Sequence, residues 1–136
     1  MPINDVAKRA DIDDIVRRFY EAMLKDPIIG FIFTDVAAIH LESHLPIIGD
    51  FWEDRVFGTQ HYQGNTLQKH LDIHAQMPLK EGHFTRWLYL FKQAVLEKHE
   101  GAKATKMLDT ADRIGKAIAA SLNNRKRAGL RLTLDD

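Results

Sequence analysis

Gly64-Asn65-Thr66-Leu67-Gln68-Lys69-His70-Leu71-Asp72-Ile73-His74 opens on a polar turn signal, then sets Leu67, His70, Leu71, His74 and Met77 at helical spacing. Two imidazoles therefore stand one turn apart on an otherwise apolar stripe. An imidazole facing an apolar interior needs a partner for each ring nitrogen, and a metal is one such partner. The stretch predicts a helix with one chemistry-bearing face, and the fold depends on what packs around that face.

Toward the N-terminus, Ile12, Ile15, Val16, Phe19, Tyr20, Met23 and Leu24 share one helical face. They predict a helix over roughly 12–25, with Asp11 as its N-cap and Asp26-Pro27 and Gly30 as its stop. Phe31-Ile32-Phe33 is an apolar corner within a loop, so it should cover something apolar. Thr34 or Asp35 can cap a second helical stretch that ends near Phe57, with His44, Ile47, Ile48, Phe51 and Trp52 inward. Pro46 removes a donor from that stretch and predicts a break, with a new helix starting near Glu42 or Ser43.

Toward the C-terminus, Phe84, Trp87, Leu88, Phe91, Val95 and Leu96 mark one face of a helix that Gly101 ends. Ala104, Met107, Leu108, Ala111, Ile114, Ile118 and Leu122 mark a last helix over roughly 103–122. No segment alternates as a half-buried strand would, so the expected class is all-α. The expected unit is one domain over 1–136, with residues 1–10 an N-terminal extension and 123–136 a loose tail, both peripheral.

At 136 residues the chain is long enough to bury a real core. Hydrophobic residues make up 45% and charged ones 28%, as in ordinary globular proteins. Lys+Arg and Asp+Glu balance at 19 each, which leaves no basic footprint for nucleic acid or a membrane surface. The absence of cysteine excludes disulfides, thiolate metal sites and thiol nucleophiles, and suits a cytoplasmic setting. The first residues, Met1-Pro2-Ile3-Asn4-Asp5, lack the basic start and apolar run of a signal peptide, and no apolar stretch approaches a membrane span.

Seven histidines occur, and two pairs, His40/His44 and His70/His74, are spaced i,i+4. That spacing suits zinc, but Leu41 stands where a metalloprotease needs glutamate directly after the first histidine. Glu-x-x-His, the ligand unit of di-iron bundles, is absent. Taken singly, each residue here has an ordinary structural role. Tyr20 reads as a buried tyrosine bonded to a carbonyl, and Trp87 and Phe91 read as core.

Their order and spacing carry more. Phe19-Tyr20, Asp26-Pro27, Gly30-x-Ile32-Phe33, His44 with Phe51-Trp52, Tyr62-x-Gly64-Asn65, His70, and His83-Phe84-x-Arg86-Trp87-Leu88-x-x-Phe91 follow one another with characteristic gaps. Together they resemble a truncated haemoglobin, most closely the group III branch. The resemblance runs from about Ile12 to Leu122, and no single motif in it would suffice. It implies a two-over-two α-helical globin sandwich around one haem b.

The resemblance also implies roles. The iron-ligating histidine follows a Tyr-x-Gly segment, and reading forward from Tyr62 the matching position is His70. Reading backward from the Phe84-x-x-Trp87 helix points to His74 instead, and Thr66 stands where the family usually has proline. On the opposite side of the haem fall Tyr20, His44, Ile48 and Trp87, with Tyr20 and Trp87 as hydrogen-bond donors to dioxygen and His44 as a gate. Phe33, Ile48 and Trp52 form a dry wall, and Lys69 or Arg86 pairs with the haem propionates. The implied ligands are dioxygen, carbon monoxide, nitric oxide and peroxide. Nitric-oxide dioxygenation or peroxidase-like turnover would require a reductase partner, because the chain carries no flavin or nicotinamide motif. Two rivals remain: a helical metal-binding protein using the His-x-x-x-His pairs without haem, and a haem-free helical sensor whose aromatics are core.

Overall fold

The computed structural model describes residues 3–30, 41–62 and 81–135, and only the backbone of residues 41, 81 and 121–135. These residues form four helices: α1 (Arg9–Leu24), α2 (Leu41–Phe57), α3 (Glu81–Leu96) and α4 (Ala102–Asp135). Helix α1 packs on α2 and α3, and α4 packs on α3 and α2. Between the diagonal partners α1/α4 and α2/α3 no backbone approach occurs among the described residues. The result is two helix pairs laid over each other, the all-α sandwich expected.

Helix α1 begins earlier than its apolar stripe. Asp11 is not the N-cap; it occupies the third helical position, and its Oδ2 accepts from Ala7 N–H (2.9 Å) and Lys8 N–H (3.2 Å). A carboxylate there satisfies donors that a helix start leaves without intrahelical partners. The stripe itself is inward, with Ile12, Ile15, Val16, Phe19, Tyr20 and Met23 all buried. Each such side chain contributes about 1.5–3 kcal/mol of burial. Asp26 closes the helix by accepting from Ile28 and Ile29 N–H at 2.9 and 3.1 Å. Gly30 then passes so near the helix end that a Cβ would lie 2.9 Å from Leu24 O, which leaves no room for another residue.

Helix α2, described from Leu41, carries Pro46 inside it, and the expected break ahead of Glu42 or Ser43 falls on residues outside those described. The Pro46 carbonyl accepts from Arg9 Nη2 at 3.1 Å, and Arg9 Nη1 donates to Asp50 at 2.8 Å. Arg9 thus lies across α2 at Gly49, where a Cβ would meet its Nη2 at 2.6 Å. The α1/α2 crossing is fixed by that close approach.

Helix α3 buries Leu90, Phe91, Ala94 and Val95. Leu96, expected inward, is 49% exposed because the helix ends there and turns through His99. Residues 3–8 are not peripheral. Val6 is 1% exposed, Asn4 bridges to His99, and Asp5 accepts from Lys103 and Ala104 N–H at 2.9 Å each, capping α4. The last helix also runs past the expected limit, to Asp135. Residues 123–135 are rich in arginine and leucine and contain no proline, so nothing stops the helix at Asn123. Ala104, Met107, Ala111 and Ile118 face inward as expected.

Candidate functional site

The polar centre of the core is a pair. Tyr20, in the C-terminal half of α1, is 7% exposed, and its Oη lies 2.9 Å from Nε2 of His44 in the first turn of α2. Which partner donates depends on the imidazole tautomer. Burial, with the nearby Tyr62 adding to it, pushes the Tyr20 phenol above its ordinary pKa, so the hydroxyl keeps its proton. The rings meet edge to face at 5.0 Å.

Phe19 draws the third helix in. Its ring sits edge-on to Tyr20 at 5.5 Å and to Trp87 at 5.8 Å. Trp87 in turn stacks on Phe91 at 5.9 Å with 9° between planes. Helices α1, α2 and α3 therefore bring Tyr20, His44 and Trp87 together around Phe19. Ile48, one turn after His44, is half-buried, as are Trp87 and Leu88. These apolar side chains border the core without being sealed by it.

Trp52 is 4% exposed, with its ring stacked on Phe91 at 4.8 Å and met edge-on by Phe51 at 5.2 Å. Arg86, one of the two residues considered for the propionates, is committed elsewhere. Its Nη2 and Nε lie 2.7 and 2.8 Å from Asp26 Oδ2. Phe33, Lys69, His70 and His74 lie outside the described residues. Among the described residues no group of three or more His, Asp or Glu side chains is fit to hold a metal, and His44 Nε2 is engaged by Tyr20. His40, His70 and His74, which the His-x-x-x-His metal reading needs, lie outside the described residues.

The donor set suits a flat apolar cofactor better than a bare ion. Half-buried Ile48, Trp87 and Leu88 offer apolar surface in the same core as a buried hydroxyl bonded to a half-buried imidazole, which a macrocycle with a polar ligand at its centre would use on both counts. The family model for bacterial-like globins matches residues 4–120. The chain belongs to the bacterial-like globins.

Within that family its relatives are truncated haemoglobins. It is 31% identical over 94 residues to a group 3 truncated haemoglobin of Campylobacter jejuni, covering 67% of this chain and 72% of the relative. Its fold is similar to the crystal structure of the group III truncated haemoglobin from Campylobacter jejuni, with a TM-score of 0.77 and 26% identity over 89% of this chain and 95% of that one. The resemblance to group III read from the sequence holds. Membership in the globin family implies a haem cofactor and diatomic gas ligands. No helix among the described residues is long and apolar enough to cross a membrane.

The sequence reading missed the polar frame around this site. Arg9, Asp50 and the Asp26–Arg86 pair join residues 41 and 60 positions apart. Isolated charges gave no local signal of such partners. The Asp26-Pro27 turn was visible only as a helix stop.

Proposed function

We infer that this globin is a cytoplasmic haem b protein, one domain over 1–136, that reversibly binds dioxygen, carbon monoxide and nitric oxide. The Tyr20–His44 pair at 2.9 Å supports this reading, because a buried, protonated hydroxyl beside an imidazole is the kind of donor a polar ligand uses. Haem would supply an iron centre that takes diatomic ligands, and His70 would hold that iron, with His74 as the alternative.

The chain's own residues set how long a ligand stays. Tyr20 Oη–H and the Trp87 indole N–H donate to a ligand whose outer atom carries partial negative charge. Each bond contributes about 0.5–1.5 kcal/mol net, more to a charged acceptor. Since about 1.4 kcal/mol is tenfold in affinity, two donors slow release by about one to two orders of magnitude. His44 acts as a gate, swinging Nε2 away from Tyr20 to admit or release ligand. Phe33, Ile48 and Trp52 keep water from the site, and Lys69 pairs with a propionate.

A donor-rich pocket of this kind favours holding and activating a ligand over bulk carriage. Nitric oxide and dioxygen combine to nitrate with one electron, and a reductase partner supplies that electron on each turnover. The test is nitrate yield from oxygenated protein and nitric oxide under a reductant. Sustained turnover supports dioxygenation, whereas one nitrate per protein that never cycles leaves a binding protein only.

A further inference from the structure

Both tryptophans of the chain, and two of its three tyrosines, belong to one connected set of rings. From Trp87, half-buried at the pocket end, the row continues onto Phe91 at 5.9 Å and 9° and then onto Trp52 at 4.8 Å and 21°. Phe51 meets Trp52 at 5.2 Å and also meets Tyr62 at 5.2 Å. No gap between neighbouring centroids exceeds 5.9 Å, so the π systems are in van der Waals contact from the pocket to the surface. Tyr62 is half-buried, and its backbone N–H is held by Asp54 Oδ2 at 2.7 Å, which fixes the outer end.

We propose that Trp87, Trp52 and Tyr62 form a one-electron relay that carries oxidising equivalents from the ligand pocket to the protein surface. The inference rests on the haem reading above. Indole and phenol are the oxidisable aromatic side chains, while phenylalanine resists oxidation. Outward from Trp87 the stations are therefore Trp87, Trp52 and Tyr62, bridged by Phe91 and Phe51, while Tyr20 joins Trp87 through Phe19, off this outward row. Electron exchange between rings falls steeply with separation, which makes a continuous stack the geometry that sustains it. Trp52, at 4% exposure, is shielded from any reductant, whereas Tyr62 reaches solvent. The third tyrosine, Tyr89, is 50% exposed and lies beside Arg86, outside the row.

The chemistry balances with a hydroperoxide as oxidant. Reduction of its O–O bond to an alcohol and water takes two electrons and two protons. Tyr62 gives up one electron inward along the row and its phenolic proton to solvent, leaving a phenoxyl radical. A small phenol or hydroquinone returns one electron and one proton to Tyr62, and the sequence repeats once per hydroperoxide.

The test mixes haem-loaded protein with hydrogen peroxide and a nitroso spin trap, then locates the adduct by peptide mass spectrometry. The relay predicts an adduct at Tyr62 at least tenfold above Tyr89. Tyr62→Phe should leave the haem absorption band unchanged and move the adduct inward to Trp52 or Trp87. Trp52→Phe keeps an aromatic plane but removes a station, and should cut the Tyr62 adduct at least tenfold. If Trp52→Phe does not fold, as judged by circular dichroism, the Tyr62→Phe result decides. Equal labelling of Tyr62 and Tyr89, or a Tyr62 adduct indifferent to Trp52→Phe, overturns the relay with the haem reading intact. A protein that shows no haem band before peroxide is added overturns both.

Discussion

Tyr20 Oη and His44 Nε2 lie 2.9 Å apart, so a part-buried hydrogen bond joins the C-terminal half of α1 to α2 at the edge of the apolar core. A buried hydroxyl at that point is aimed by Phe19 and the α1 stripe rather than by a loop, so it is preorganised. Replacing Tyr20 by Phe removes the donor and keeps the ring. The oxygen dissociation rate of the haem-loaded protein should rise by about 10-fold or more, corresponding to about 1.5 kcal/mol or more. Stopped-flow oxygen displacement measures it, and an unchanged rate removes Tyr20 from its role.

Asp26 is buried, its side chain 3% exposed, and it is neutralised by Arg86 at 2.7 Å and by two backbone N–H groups. Arg86→Ala leaves that carboxylate without its cation and should lower stability, which denaturant unfolding reads as a lower midpoint. The Arg86 hydrogen bond, aided by the N–H groups of Ile28 and Ile29 and opposed by burial, holds the Asp26 carboxyl below its ordinary value of 3.8. A depressed folded-state pKa contributes stability that is complete above the unfolded value and lost as pH falls through the folded one. The unfolding free energy should therefore decline below about pH 4, and Asp26→Asn should flatten that decline.

Gly115 faces the Trp87 ring, and a Cβ added there would lie 3.9 Å from Trp87 Cζ3, an ordinary contact. Glycine inside a helix costs about 0.5–1 kcal/mol relative to alanine. Gly115→Ala should therefore stabilise the protein by about that amount, seen as a higher denaturant midpoint with an unchanged slope. A loss of stability would mean that α4 and Trp87 pack more closely than described.

Asp5 caps α4 from a distant segment, and Gly101 makes room for it. A Cβ on Gly101 would fall 2.5 Å from Asp5 Cγ, and its φ of +146° suits glycine alone. Asp5→Ala should cost about 1 kcal/mol. Gly101→Ala should cost more, because it adds backbone strain to the displaced cap. Thermal unfolding of the two variants ranks them, and the reverse order would contradict this packing.

These cases mark what was legible in the chain. The apolar faces of α1, α3 and α4 follow from periodicity, which acts over one or two helical turns, whereas the grouping of Tyr20, His44 and Trp87 was implied only by the resemblance to truncated haemoglobins. Asp5 capping Lys103 and Ala104, Arg9 crossing to Asp50, and Asp26 holding Arg86 join charged residues far apart in sequence. A polar side chain in a helical pattern looks solvated until its tertiary partner is known, so residues 1–10 read as peripheral when Val6 is core. Trp52 read as pocket wall from its place after His44, and only the stacking on Phe91 shows how deep it lies. His70 and His74 differ by one helical turn, and His70→Ala against His74→Ala separates them by which variant loses the axial haem spectrum.

The most direct measurement is the absorption spectrum of the purified, haem-reconstituted protein, reduced and then exposed to carbon monoxide. An intense band near the blue end of the visible that shifts on carbon monoxide and returns when the gas is removed is the result predicted for a haem held beside Tyr20, His44 and Trp87. A reconstituted protein with no such band, or one whose band ignores carbon monoxide, would contradict the account.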